Sequence, residues 1–143
     1  MLRNILAVIV GIVVGMAINM ALIQLNSLVL FPMPAGTDMS NPEQFNAYIA
    51  SLPQTAFIVV ILAHLSQSFV GALVAARLCQ SHPMKLAMIV GTVALAGGIM
   101  AMGMIDGPSW LVIELPLYLV VAWIAGRIVI SRKDGNHLTA SEA

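Results

Sequence analysis

The sequence predicts an all-α fold: a polytopic membrane protein forming one four-transmembrane-helix bundle, with a short interfacial amphipathic helix in its first outer loop. Three observations carry this. Of the 143 residues, 60% are hydrophobic and 8% charged, with a mean hydropathy of +0.99, which leaves too little polar surface to coat a soluble globule. Residues 5–30, 55–78, 86–105 and 110–130 each approach or exceed the roughly 20 apolar residues that a bilayer core about 30 Å thick requires. These runs are continuously apolar rather than alternating, which favours helices over barrel strands.

The first run, Ile5 to Leu30, follows the short basic start "MLRN" and so has the outline of a secretion signal. Its apolar core is about twice the usual length for a signal, and no small-x-small pattern closes it, so it reads as a spanning helix. The connection that follows, "FPMPAGTDMSNPEQFNAYIASLP", opens with a Pro-x-Pro and Gly turn. Asn41 then offers an N-cap, Pro42 suits the first helical position, and Glu43 and Gln44 favour the positive end of a helix. A helix over residues 42–52 is predicted, stopping before Pro53. Phe45, Tyr48, Ile49 and Leu52 recur at i, i+3, i+4 and i+7 as one apolar stripe. Such a stripe either caps the bundle and anchors at headgroup level, or forms a lid over a polar cavity or a docking surface.

Orientation follows from the six Lys and Arg residues, because basic residues near helix ends stay on the cytoplasmic side. Arg3, Arg77, Lys85, Arg127, Arg132 and Lys133 all fall at one end, whereas the other two connections carry Asp38, Glu43 and Asp106. Both termini are expected in the cytoplasm, with 131–143 as a short solvated tail. A formal net charge of zero and the lack of a basic stripe argue against nucleic acid as a partner. With Cys79 alone, no intrachain disulfide can form.

The second run contains "LAHLSQSF", Leu62 to Phe69, which places an imidazole, an amide and two hydroxyls in hydrocarbon. At about 1.5 Å per residue, His64 lies about 14 Å below Thr55, near the midplane, and Asn19 is at a similar depth below Leu30. Glu114 lies about 6 Å below Trp110, level with Asn26. Two tiers result, Asn19 with His64 and Asn26 with Glu114, separated by about 8 Å. Gln67 follows His64 by about one turn, and Tyr118 follows Glu114 by four residues. With the first, second and fourth spans facing one another, Asn19, Asn26, His64, Gln67, Glu114 and Tyr118 form a polar pocket open to the outside. His64 and Glu114 stand apart because they can change charge, and an intramembrane carboxylate needs a partner. The uncharged polar side chains read first as hydrogen-bonding glue between helices. Pro116 predicts a kink just below Glu114.

Small residues mark the packing faces. Gly11 and Gly15 form a small-xxx-small pair leading into Asn19, and the third run carries Ala87, Gly91, Ala94, Gly98 and Ala101 as a stripe suited to a left-handed helix pair. Such seams must meet another helix, in this chain or in a partner. Met16 with Met20 and Met100 with Met104 each read M-x-x-x-M, a spacing compatible with Cu(I), although Met is also a common apolar filler. Cys79 and His82 supply only two potential zinc ligands. No metal site is assigned, and no hydrolase, zincin, Walker or dinucleotide fingerprint occurs.

Through "FPMPAGTDMSNPEQFNAYIASLP", the small-residue "GALVAARL" and the "MIDGPSW" joining the last two spans, nearly the whole chain resembles a group of small, uncharacterised bacterial four-helix membrane proteins. The resemblance implies the fold and an inner-membrane location, and carries over no functional residue. The first functional expectation is a non-enzymatic accessory or stabilising subunit of a larger membrane assembly, able to self-associate. Its partners are then the bilayer and other membrane subunits or a second copy, and a bound lipid is the cofactor left open. The competing expectation is a proton-coupled or cation transporter or channel working through His64 and Glu114. An enzyme ranks third, because no nucleophile or metal set accompanies the acid-base pair.

Overall fold

The structure is a computed structural model that describes the backbone of residues 1–141 and the side chains of residues 1–132. The side chains of the polar tail from Lys133 onward lie outside the described residues. Helix α1 (Leu2–Leu25) passes into a π-helical segment, Asn26–Leu30. Helix α2 (Pro42–Ser51) lies in the long connection, α3 (Gln54–Leu78) and α4 (Pro83–Met104) follow, and a 3-10 segment, Ser109–Ile113, leads into α5 (Glu114–Ser141). No strand occurs among the described residues. Leu2–Leu30, Gln54–Leu78, Pro83–Met104 and Ser109–Arg132 are long and apolar enough to cross a bilayer, which makes this a multi-pass, all-α membrane protein.

Local chemistry sets most boundaries. Asn41 Oδ1 accepts the N–H groups of Glu43 and Gln44, at 3.0 and 3.3 Å, so the N-terminus of α2 is capped as its sequence predicts. Leu52 turns extended ahead of Pro53, which ends α2 at Ser51. The third span starts at Pro83 rather than Leu86, because Pro83 occupies the first turn, where its missing N–H has no helical partner. The fourth span departs further from expectation. Instead of one kinked helix from Trp110, it is 3-10 over Ser109–Ile113 and α-helical from Glu114, which puts Pro116 in the first turn of α5. The α5 backbone then remains helical past Ile130 to Ser141.

Helix α3 occupies the centre of the bundle. Helix α1 runs antiparallel along one side of it and α5 packs on another, while α4 closes against both α3 and α5. The register of the α1–α3 seam is set by glycine. A Cβ built on Gly11 would stand 2.5 Å from the Gly71 carbonyl oxygen, and one on Gly15 2.5 Å from that of Gln67. Farther along, Asn26 Nδ2 donates to the Ala56 carbonyl at 3.3 Å. Each step forward on α1 thus matches an equal step back on α3. The α4 stripe is filled in the same way: a Cβ on Gly91 would lie 2.5 Å from Ala122 Cβ, and one on Gly98 2.8 Å from the Tyr118 hydroxyl. Ala72, Ala75, Ala76, Ala87, Ala122 and Ala125 are fully buried between the helices. With such short side chains the backbones approach closely, and dispersion between them supplies the cohesion that hydrocarbon solvent does not.

The termini of α1 and α3 meet at the end rich in basic residues. Arg3 Nε donates to the Leu78 carbonyl, and Asn4 binds both Ser81 Oγ and the Gln80 N–H. This is the basic end; the opposite one, with α2 and the α4–α5 connection, is the loop end. Ile5, Ile9, Val13, Met16 and Met20 on α1, and Met100 and Met104 on α4, are exposed, so the outer shell is apolar as lipid contact requires.

Candidate functional site

At the loop end the spans surround a cavity of about 380 Å3, within the roughly 300–1,000 Å3 of small-molecule sites. Ile23, His64, Gly98 and Glu114 are the deepest lining residues on the four spans, and Phe45, Tyr48, Ile49 and Leu52 of α2 line it as well. The apolar stripe read from the sequence therefore turns inward over the cavity. This places α2 at the mouth of the cavity, where a bundle cap and a lid would both sit.

His64 and Glu114 are in direct contact. Nδ1 of His64 lies 3.1 Å from Glu114 Oε1 and 3.2 Å from Oε2. An ionised carboxylate only accepts, so Nδ1–H donates to it; a protonated carboxyl instead donates to a bare Nδ1. Either way one proton lies between the two groups. Tyr118 adds its hydroxyl, which donates to Glu114 Oε1 at 3.3 Å, and its ring stacks near-parallel to the imidazole with centroids 6.2 Å apart. Glu114 is 2% exposed and opens α5, where the positive end of the helix dipole favours a carboxylate. Ser68, fully buried, donates to the Tyr118 carbonyl at 2.8 Å and pins α5 to α3 at this level.

The expected 8 Å gap between His64 and Glu114 is thus corrected. The 3-10 segment rises about 2 Å per residue instead of 1.5 Å, which carries Glu114 deeper, and the two side chains close the remainder. The assumed arrangement of the first, second and fourth spans is also revised, since α3 stands between α1 and α5 and α4 contributes a wall.

Asn26 joins the site from α1. It is 4% exposed and lines the cavity; its Nδ2 donates to the Ala56 carbonyl, and its Oδ1 has no hydrogen-bond partner among the described residues. Asn19, Gln67 and Tyr118 are not among the lining residues, and Tyr118 reaches the site through its bond to Glu114. The α1–α3 register sets Asn19 opposite Ala63, one residue short of His64, and a single residue is a turn of about 100° on a helix. Its depth matches the expected tier, but His64 turns toward α5 instead, and Asn19 Oδ1 also lacks a partner. Gln67 packs beneath Gly15 through its backbone.

Two fastenings hold α2 in place. Asn46 Nδ2 donates to Asp106 Oδ2 at 3.1 Å and Asn46 Oδ1 accepts the Asp106 N–H at 3.3 Å, a reciprocal pair joining α2 to the α4–α5 connection. Tyr48 donates its hydroxyl to the Phe31 carbonyl at 2.8 Å, and burial pushes its ionisation above the usual tyrosine value of 10.0, which keeps that donor protonated. No sequence signal links Asn46 to Asp106. Of the weaker motifs, Met16, Met20, Met100 and Met104 face outward, while Cys79 is buried with its thiol given to the Ala76 carbonyl and His82 is exposed. Comparison with family models, curated proteins and solved structures finds no match for this chain.

Proposed function

We propose that this chain is a small proton-linked cation carrier, with its cavity as the substrate site and His64–Glu114 as the coupling pair. The carrying observation is the direct contact of the two ionisable side chains, sharing a proton, at the floor of a covered cavity. A buried carboxylate needs a compensating positive charge, and in a low-dielectric site a proton and a substrate cation compete for that role. Cation arrival at Glu114 makes the pair release one proton to the solution through the imidazole, leaving a neutral His64 whose Nδ1–H still donates to the ionised carboxylate, and cation departure lets the pair take a proton back. Helix α2 gives the site a cover that can open without disturbing the bundle.

The accessory-subunit expectation rested on small-residue seams, short cytoplasmic segments and the lack of a catalytic constellation. Here Gly11, Gly15, Gly91, Ala94 and Gly98 are all buried against helices of the same chain, so these seams supply no argument for a partner. We place the basic end in the cytoplasm of a bacterial inner membrane, by the positive-inside rule and the resemblance described above, so that the cavity faces outward.

The test is flux in proteoliposomes loaded with a pH indicator and challenged with inorganic and organic monovalent cations. At least one cation is expected to drive proton movement in the wild type, and Glu114→Gln and His64→Ala are expected to abolish it. Unchanged flux in both variants, or no cation-driven flux in the wild type, overturns the reading.

A further inference from the structure

We infer that the substrate is an amine: a protonated primary or secondary ammonium on an apolar body, its N–H bonds shared between Asn26 Oδ1 and the Glu114 carboxylate. This deepens the carrier reading and rests on it for the coupling, though not for the binding itself.

The balance of donors and acceptors at the site favours an ammonium. Asn26 is nearly completely buried on the cavity wall; one of its two amide N–H bonds goes to the Ala56 carbonyl, and its Oδ1 is an acceptor without a partner among the described residues. A buried acceptor left unpaired costs about 1–3 kcal/mol, and a ligand bringing an N–H removes that cost. Glu114 accepts from His64 and Tyr118, and an ionised carboxylate has about four lone-pair positions, so it can accept again. An ammonium can donate to both acceptors at once.

Charge selects in the same direction. Among the described residues no Lys or Arg lines the cavity, and the one imidazole there is already held by Glu114. An anionic headgroup would meet a carboxylate with no cation to answer it. The walls suit an apolar body carrying a cation. Phe45, Tyr48 and Phe57 supply aromatic surfaces that attract cations, while Met33, Met39 and Met102 are soft, adaptable side chains that fit a variable apolar body.

The experiment is calorimetric titration of the full chain in nanodiscs with three probes sharing one body: phenylbutylamine, phenylbutanol and phenylbutyrate. The amine is expected to bind at least about tenfold more tightly than the neutral alcohol, and phenylbutyrate to give only the signal of empty nanodiscs. Asn26→Leu is expected to weaken amine binding about tenfold, while Asn26→Asp, which keeps the acceptor, retains binding; size-exclusion profiles confirm that both variants remain folded. Equal binding of the three probes, a preference for phenylbutyrate, no amine binding, or full affinity in Asn26→Leu overturns the inference. Amine binding without proton flux would retire the carrier reading alone, and inorganic-cation flux without amine binding would retire this inference alone.

Discussion

Gly98 lies against the phenol of Tyr118, so close that a Cβ at position 98 would come within 2.8 Å of the hydroxyl and 3.0 Å of two ring carbons. The stripe residue on α4 thus makes room for the ring that supports Glu114. Gly98→Ala is expected to displace Tyr118 and lower stability by about 1–3 kcal/mol, read as a fall in the thermal midpoint in detergent. Gly97→Ala is the control: a Cβ there meets nothing within 4 Å, so it is expected to be neutral or to stabilise by up to about 1 kcal/mol. A Gly98→Ala midpoint equal to that of Gly97→Ala would contradict this packing.

The two members of the ion pair are not equivalent to remove. In Glu114→Gln the amide can still accept from Tyr118 and donate to a neutral imidazole, so a cost below about 1 kcal/mol is expected. His64→Ala leaves the buried carboxylate with Tyr118 alone, and a loss of about 1–3 kcal/mol is expected. Thermal melts of the two single variants and of the double variant check the order, with the double variant expected to recover most of the loss. The opposite order would contradict the charge argument.

The reciprocal Asn46–Asp106 bonds are the side-chain fastening between α2 and the α4–α5 connection. Asn46→Ala is expected to raise amide exchange through Phe45–Ser51 several-fold while leaving exchange in α3 unchanged, since opening of a cover is a local event. Exchange rising equally in α3 would show that α2 is part of the bundle core instead.

The turn leading into α2 responds to pH in a definite direction. The Ser40 hydroxyl and N–H both donate to Asp38 Oδ1, at 2.6 and 2.9 Å, and hold its carboxyl below the ordinary 3.8. A carboxyl lowered by folding stabilises the turn above that ordinary value and loses the effect as pH falls through the lower folded one. Carbon NMR of the Asp38 carboxyl is expected to titrate below 3.8, and Ser40→Ala to move the midpoint upward. A midpoint at or above the ordinary value in the unsubstituted chain would show that the turn does not form.

Much of this architecture is legible in the residues themselves. Four long apolar runs yield four spanning helices, Asn41-Pro42 starts α2, and Phe45, Tyr48, Ile49 and Leu52 share one face. His64, Glu114, Tyr118 and Asn26 were each identifiable, because an ionisable or amide side chain in hydrocarbon stands out. What one-dimensional reading misses is geometry created by neighbours. The 3-10 rise before Glu114 depends on where the helix restarts around Pro116, and the direction of His64 depends on α3 lying between α1 and α5. Asn46 and Asp106, sixty positions apart, carry no mark of their pairing. Gly71 likewise gains its role only when Gly11 is set against it.

The central claim is that Glu114, sharing a proton with His64, is the group that answers an incoming cation. Difference infrared spectroscopy of the reconstituted protein, recorded as phenylbutylamine is perfused in and out, tests it most directly. A reversible carboxyl band change is predicted in the wild type, absent in Glu114→Gln, altered in His64→Ala and retained in Gln67→Ala. An identical band change in Glu114→Gln would place the responding carboxyl elsewhere and contradict the account.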